Sequence, residues 1–586
     1  MATYSCAHKS LALLTCVLLV AISPRSVRAA DPDWIARDPR GMVAADHADA
    51  SAAGAAILRS GGNAFDAAIA TSLALTVTRP ASTGIGGGGF LVAFDAKSGK
   101  FVALDFRETA PRAATPERYA ALAKSRGDGP SASIYGGHAI AIPGLLRGLD
   151  EIHRRFGSRP WRDLVQPAID LAERGYVIDE HHHATVRDAR REIEQTPALQ
   201  PIARVLRERL LGGDREPAIG DRCTRTDLAE TLRQIAEIGP NAFYEGEIAE
   251  DTVGAVASAG GEMTLADLRG YRVRELEPLR SRYRDIELIG MRPPSSGGAC
   301  IAETLNILDA SAARPELASA PRIHLLVESL KHSFADRARH FADPDFYAVP
   351  VGRLTSRDYA AQLAARIRPD GTLTSDAYGS AADAPTSQPR DDRGTSHFSI
   401  ADEKGNLIAM TETINGTFGS LVMTERFGIL LNNQMDDFLT VPGEANLFGL
   451  TQSEHNLVGP GKRPLSSMSP TIVLKNGKPL LIVGGSGGPR IITATLQVIL
   501  GVLDGKPLAE AMDAPRVHHQ WQPDEVLFDR PAPQDLSDQL RTCGHKVSDR
   551  RRGAAVQAIH RLDDGIWLGA SDPRKGGKPV GASVSK

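Results

Sequence analysis

Apolar residues recur at helical spacing through much of the first 345 residues, as in Ala48 to Leu58, Ala64 to Thr76, Leu145 to Phe156, Trp161 to Glu173 and Ile323 to Phe341, and each of these stretches predicts a helix. Short strand-like runs interrupt them. Phe90 to Asp95 and Phe101 to Phe106 flank the turn cluster Ala96-Lys97-Ser98-Gly99-Lys100 and predict a hairpin. From about Asp370 to Gly394 the chain is polar, rich in Ala, Pro, Ser and Asp, and without amphipathic period, which predicts a mobile surface segment that divides the chain. Beyond it the pattern changes to strand pairs. His397 to Ala401 and Leu407 to Ile414 surround Glu403-Lys404-Gly405-Asn406, Thr471 to Leu474 and Leu480 to Val483 surround Asn476-Gly477, and Val556 to Arg561 and Ile566 to Ala570 surround Asp564-Gly565. Such hairpins build antiparallel sheet. Helices layered on antiparallel sheets make an α+β body, and no internal repeat of fixed period is present.

Composition narrows the class. The chain has 586 residues, 42% hydrophobic and 24% charged, which excludes a disordered tail, a collagen-like fibre and a small disulfide scaffold. Its length suits three or four ordinary domains or one large catalytic body. With 68 Lys+Arg against 71 Asp+Glu there is no basic footprint for nucleic acid, so a small-molecule or peptide substrate is expected. Residues 1–29 carry Lys9, the apolar run Leu11 to Ile22 and Val27-Arg28-Ala29 before Ala30, the pattern of a secretory signal peptide. That run is about 12 residues, short of the roughly 20 needed to span a bilayer, so a soluble, exported mature protein is expected, in the periplasm or secreted. Cys6 and Cys16 leave with the signal. Cys223, Cys300 and Cys543 remain, an odd set without C-x-x-C spacing that predicts neither a disulfide framework nor a cysteine metal site.

Two glycine-rich stretches invite chemistry. Gly84 to Gly89 satisfies G-x-G-x-x-G, but a helical run precedes it and a strand follows, the reverse of a dinucleotide fingerprint, so close backbone packing or a wall of a site is the better reading. Gly484-Gly485-Ser486-Gly487-Gly488 matches G-x-S-x-G between a strand and a helical run, as a nucleophile elbow does. Asp524 with His518, His519, His545 or His560 would then have to complete a triad. The same glycines also suit an electrostatic use, with amides at a helix start aimed at a developing oxyanion. His181-His182-His183 and His518-His519 lack the spacing of metal ligands, and neither metal nor cofactor is expected.

The remaining polar constellation is Gly394-Thr395-Ser396-His397, Thr413-Ile414-Asn415, Asn432 to Asp437 and Arg463 to Pro470. Taken singly, each fits a turn or a cap. As an ordered set, together with Gly61 to Ala68, Gly84 to Phe90, Asp105-Phe106-Arg107-Glu108 and Ser571-Asp572-Pro573-Arg574, they resemble the bacterial gamma-glutamyltranspeptidases, members of the N-terminal nucleophile hydrolases, over essentially the whole mature chain. The resemblance implies a four-layer αββα sandwich, two stacked antiparallel sheets flanked by helices. It also implies one precursor that cuts itself at Gly394-Thr395 into a large subunit (30–394) and a small subunit (395–586), which stay together as a heterodimer. The chemistry of such a cut stands on its own. A threonine hydroxyl is a weak nucleophile, and freeing its own α-amino group, of ordinary pKa about 7.7 to 8.0, places a base beside it.

By resemblance, Thr395 attacks the γ-carbonyl of glutathione or a related γ-glutamyl amide, and water, an amino acid or a peptide accepts the acyl group. Arg107, with Ser466 and Ser467, matches the site for the α-carboxylate. Asn415, Gln434 and Asp437 match the site for the α-amino group. Gly487 and Gly488 match the oxyanion hole, which leaves Ser486 a turn residue, and Thr413 matches a threonine that orients the nucleophile. Phe438 to Leu450 resembles a lid loop, with Phe448 where better-known lidded enzymes have tyrosine. A phenyl ring shields but cannot donate a hydrogen bond, which bears on the balance of hydrolysis and transfer. Gly394 stands where glutamine is often found, which bears on the rate of self-cleavage. Three other readings use the same residues: an amide or β-lactam (glutaryl) acylase on this fold, a serine hydrolase using Ser486, and an exported amino-acid binding protein using Arg107 and Asp437.

Overall fold

The computed structural model describes residues 31–583 apart from 126, 128, 312–315, 317–318, 381–393 and 552, so the signal sequence lies outside the described residues. Every helix and hairpin named from the hydrophobic pattern forms, with ends within about three residues of those expected.

Fourteen strands build the two main sheets. In chain order they are β1 (Ile35–Asp38), β2 (Met42–Ala45), β3 (Gly88–Asp95), β4 (Lys100–Phe106), β5 (Arg274–Leu276), β6 (Leu279–Tyr283), β7 (Ile286–Gly290), β8 (Ser396–Ala401), β9 (Leu407–Thr413), β10 (Thr471–Lys475), β11 (Lys478–Ser486), β12 (Ala555–Arg561), β13 (Trp567–Ser571) and β14 (Val580–Gly581). One sheet runs β1-β13-β12-β11-β10-β7-β6 and the other β14-β2-β8-β9-β3-β4-β5, with every neighbouring pair antiparallel. The sheets pack face to face. Helices α1 (Ala48–Arg59), α2 (Ala64–Thr78) and α3 (Leu145–Phe156) cover the second sheet, with α4 (Trp161–Arg174) packed on α2; α5 (Gly297–Ala310) and α7 (Arg490–Leu503) cover the first, with α6 (Ala320–His340) packed on α5. The result is the expected four-layer αββα sandwich.

Alternation along the strands fills three layers at once. On β8 and β9, Phe398, Ile400, Ile408 and Met410 face the helices, while Ala401, Leu407 and Ala409 join Phe90, Val92, Ile472 and Ile482 between the sheets. Because both faces are covered, these strands are buried along their whole length. The helix α2 is likewise buried at every residue, which suits its Ala, Ser and Thr content, and an Asn63–Asp66 capping box starts it.

Both sheets interleave strands from the two sides of residue 394: β8 pairs with β2 and β9 with β3 in one, and β10 with β7 and β13 with β1 in the other. The expected mobile segment departs from the structure in its described part. Tyr378 is buried with its hydroxyl donating to both Glu328 oxygens at 2.8 and 3.0 Å, and the Gly379 amide donates to His332 Nδ1 at 2.8 Å. Buried charges on α6 satisfy this stretch where composition alone offered no core. Residues 381–393 lie outside the described residues.

Candidate active site

Thr395 and Thr413 meet because of register. In the β8–β9 hairpin Ser396 faces Glu412, so the next position outward sets Thr395 against Thr413, and their hydroxyl oxygens lie 2.9 Å apart. The Asn415 amide donates to Thr413 Oγ1 at 2.8 Å. The Thr395 amide donates to the Ser82 carbonyl at 2.9 Å, and Lys575 Nζ donates to the Thr395 carbonyl at 2.6 Å. Thr395 sits at φ +82°, a left-handed conformation that a β-branched residue adopts only under constraint from its surroundings. Its neighbour Gly394 has a steric requirement of its own. A Cβ there would lie 2.0 Å from the Asn415 carbonyl oxygen, so the uncut chain in this geometry admits only glycine.

The G-x-S-x-G stretch forms the predicted strand-to-helix turn from β11 to α7, with Gly487 at φ +124° and Gly488 at φ +58°. No histidine bonds to Ser486 among the described residues. His518 is occupied by Thr493 and Gln520, and His519 by Asp524 and the Trp521 amide. His545 pairs with His324. Ser486 Oγ instead accepts from Lys575 Nζ at 3.2 Å, so the triad of an elbow is not assembled. The Phe448 ring lies directly on Gly488, where a Cβ would come within 2.6 Å of its carbons. Its loop is fastened by Asn446 Nδ2 to Asp437 at 3.3 Å, by the Leu447 amide to Asp436 at 2.7 Å and by Gln520 Nε2 to the Phe448 carbonyl at 3.0 Å.

Chain-distant segments converge on a charged pair. Arg107 follows β4, is buried, and donates through Nη2 to Asp437 Oδ2 while its Nε and Nη2 also reach the Pro464 and Leu465 carbonyls at 3.3 and 3.2 Å. Asp437 ends the short turn Gln434–Asp437 and accepts from Gln434 Nε2 at 2.9 Å. Asn415 Nδ2 donates to the Asn433 carbonyl at 3.0 Å, which ties the β8–β9 hairpin to that turn. Ser466 Oγ accepts from the Met468 amide at 3.1 Å, and Ser467 Oγ from Arg337 Nη2 at 3.2 Å. Thr395, Thr413, Asn415, Gln434, Asp437 and Arg107 are thus linked by hydrogen bonds and chain neighbours, and the loop fastened to Asp437 carries the Phe448 ring that lies on Gly488.

Burial sets the local proton affinities. It pushes the Asp437 carboxyl up against the pull of Arg107, and pushes Glu108, beside Arg107, up to about 7. Glu412, next to Thr413, is pushed up to about 8 by burial despite hydroxyl donors from Ser72 and Thr83. His397 is driven down to about 3 by burial and bonds to Thr411 and Ser399 rather than to the threonines.

Sequence reasoning missed Arg337 and Lys575. Arg337 lies on a helix whose charged residues Glu328, Lys331, Asp336 and Arg337 are all buried, and that charge on an apolar stripe is a readable signal. Its Nε donates to Ser296 Oγ at 3.0 Å, and its Nη1 has no hydrogen-bond partner among the described residues. Lys575 stands one residue beyond the Ser571-Asp572-Pro573-Arg574 motif and carries no sequence signal. Among the described residues one His/carboxylate cluster has metal-ligand spacing, His324, Glu328 and His545. It is internally paired: the two imidazoles bond at 2.7 Å, and Glu328 is taken by Tyr378 and Lys331.

Comparison with known proteins gives one consistent relationship. The gamma-glutamyltranspeptidase family model matches residues 50–582. A glutathione hydrolase proenzyme of Pseudomonas sp. (strain A14) is 39% identical, covering 92% of this chain and 91% of that protein. An acylase ACY 1 proenzyme of Pseudomonas sp. (strain V22) is 38% identical over 93% and 94% of the two chains. The crystal structure of a cephalosporin acylase from Bacillus halodurans superposes with a TM-score of 0.82 at 27% identity, covering 97% of this chain and all of that one.

Proposed function

The chain belongs to the gamma-glutamyltranspeptidase family, and from that premise we propose a self-processing γ-glutamyl hydrolase and transferase acting on glutathione-like amides, with Thr395 as its nucleophile. The observation that carries the reading is the hydroxyl contact of Thr395 with Thr413 at 2.9 Å, beside a glycine whose Cβ would clash with the Asn415 carbonyl. In the precursor, Thr395 Oγ1 attacks the Gly394 carbonyl, the C–N bond breaks as the acyl group moves to oxygen, and water hydrolyses the ester. Gly394 keeps the new carboxylate. Thr395 gains a free α-amino group, the base that its hydroxyl needs.

In turnover the α-amino group takes the proton from Oγ1 as the oxygen attacks the γ-carbonyl. The Gly487 and Gly488 amides receive the oxyanion, and the amine leaves with the proton returned to it. Water or an amino acid then attacks the γ-glutamyl ester. Arg107 and Asp437, side by side, offer one cation and one anion, complementary to the carboxylate and ammonium of an α-amino acid. Ser466, Ser467, Asn415 and Gln434 complete that headgroup site, and Phe448 shields it. The cation–anion pair favours a γ-glutamyl group over a glutaryl group, which lacks the ammonium and would leave Asp437 uncompensated.

Because β8 and β9 pair with β2 and β3, the large subunit (30–394) and small subunit (395–586) remain one heterodimeric body after cleavage. No helix among the described residues is long and apolar enough to cross a membrane, and the signal-like residues 1–29 direct the protein to the periplasm or outside. Intact mass and N-terminal sequencing test the reading. The 192-residue small fragment starts Thr-Ser-His-Phe at roughly 20 kDa, and Thr395→Ala stays one chain and is inactive on a γ-glutamyl anilide. Full turnover by that variant sinks the proposal.

A further inference from the structure

We propose that Lys575 is a positioning residue for the nucleophile, clamping the Thr395 carbonyl oxygen to Asp46 and Ser486 so that the threonine keeps its reactive orientation before and after the cut. The inference rests on Thr395 being the nucleophile. Lys575 is almost fully buried, at 3% exposure, and its ammonium donates to Thr395 O at 2.6 Å, Asp46 Oδ2 at 2.7 Å and Ser486 Oγ at 3.2 Å. Those acceptors come from the proposed scissile junction, from the residue after β2, and from the last residue of β11 before the oxyanion glycines. Lys575 thereby links the two proposed subunits and both halves of the catalytic geometry through one atom.

Its own position is held by a rigid turn. Asp572 accepts from Arg516 Nη1 at 2.8 Å and from the Val556 amide at 3.0 Å, and the Lys575 amide donates to the Asp572 carbonyl at 3.1 Å. Arg79 Nη2 donates to the carbonyls of both Lys575 and Asp46 at 2.8 Å, so the backbones bearing the ammonium and its counter-ion are tied to one guanidinium. The turn Ser571-Asp572-Pro573-Arg574 thus serves to aim Lys575.

The clamp matters because of Thr395's conformation. At φ +82° the residue is held by three tethers: its amide on Ser82, its hydroxyl on Thr413 and its carbonyl on Lys575. Cleavage removes the covalent tether to Gly394. The carbonyl bond to Lys575 then carries more of the load that keeps the α-amino group beside Oγ1. Misplacement of about 1 Å costs about 10²-fold in rate. Lys575 makes its hydrogen bonds at Thr395, Asp46 and Ser486, away from the Arg107–Asp437 pair, so its loss should fall on kcat and spare KM.

The test is Lys575→Met, close in length and uncharged, with Thr395→Ala and the wild type alongside, read by self-cleavage rate on gels and by kcat and KM for γ-glutamyl-p-nitroanilide. Expected are a fall of about 10²-fold in kcat, slower self-cleavage, and a KM within about twofold of wild type. Unchanged kcat and self-cleavage, or a loss carried by KM, overturn the proposal. If Lys575→Met does not accumulate as folded protein, Asp46→Asn is read the same way, since it leaves the lysine but removes the carboxylate that aims it. A kcat down about tenfold at constant KM supports the clamp, and wild-type kcat or a KM effect overturns it. The control separates the two ideas. An active Thr395→Ala defeats the nucleophile reading, whereas an inactive Thr395→Ala beside a wild-type-like Lys575→Met defeats only the clamp.

Discussion

At Thr395 the important atoms are placed by backbone: strand register sets two hydroxyls face to face, and amides and carbonyls hold the residue in its left-handed conformation. At Arg107 and Asp437, by contrast, side chains arrive from β4, from the turn Gln434–Asp437, from the Pro464–Ser467 stretch and from α6, and buried charge holds them together. Register survives a change of side chain, because the ladder remains. A buried charge pair does not, because removing either partner leaves the other desolvated and alone. The proposed nucleophile end should therefore tolerate substitutions that the proposed headgroup end cannot, and the two ends should fail in different observables.

The sharpest way to break this contrast is Arg107→Met. It leaves Asp437 without its cation, and a loss of about 3 to 5 kcal/mol in transition-state stabilisation, at least 10²-fold in kcat/KM, is expected with self-cleavage unimpaired. Impaired self-cleavage would mean that the two ends are one unit. Next in size is Thr413→Val, which keeps shape and register but removes the hydroxyl at 2.9 Å from Thr395. Self-cleavage and kcat should each fall by about tenfold or more, with KM unchanged, in steady-state assays and processing gels.

Arg337→Met probes the headgroup end at one remove, through Ser467. A rise of about tenfold in KM with kcat nearly retained is expected, since a hydrogen bond to a charged group is worth about 1.5 to 3 kcal/mol. A fall in kcat at constant KM would place Arg337 with the nucleophile instead. The smallest effect is on pH-dependent stability. Glu412 has its folded pKa near 8, above the ordinary carboxyl value of 4.5, so the folded state holds the proton longer and stability is lost as pH rises through about 8. Thermal midpoints measured from about pH 5 to 9 should fall more steeply for wild type than for Glu412→Gln, and parallel curves would contradict the assignment.

Much of the architecture was legible in the chain. Alternating apolar residues around Gly405-Asn406 and Asn476-Gly477 dictate hairpins, since period two buries one face and the turn residues set the return. The helix pattern at Ile323 to Phe341 likewise gives α6. The glycines were harder to read. Gly86 and Gly87 prove to be sites of close backbone approach, where a Cβ would lie 2.0 Å from the Leu430 and Thr413 carbonyl oxygens. That agrees with packing and not with phosphate binding. The elbow-like stretch around Ser486 is ambiguous in sequence, and the structure decides it by bonding His518 and His519 elsewhere and setting Lys575 on Ser486 Oγ.

Local sequence by itself determined the strands, the helices, the polar stretch before residue 394 and the ordered motifs that mark the family, because periodicity, turn chemistry and residue identity act over a few positions. Tertiary structure decided what those positions touch. It alone put Tyr378 into the core, set Phe448 on Gly488, joined Arg337 to Ser467 and brought Lys575 to the carbonyl of Thr395, 180 residues earlier in the chain. Such contacts depend on how two sheets stack and where a distant turn is fastened, and a single lysine carries no trace in its neighbours of the oxygen it will meet.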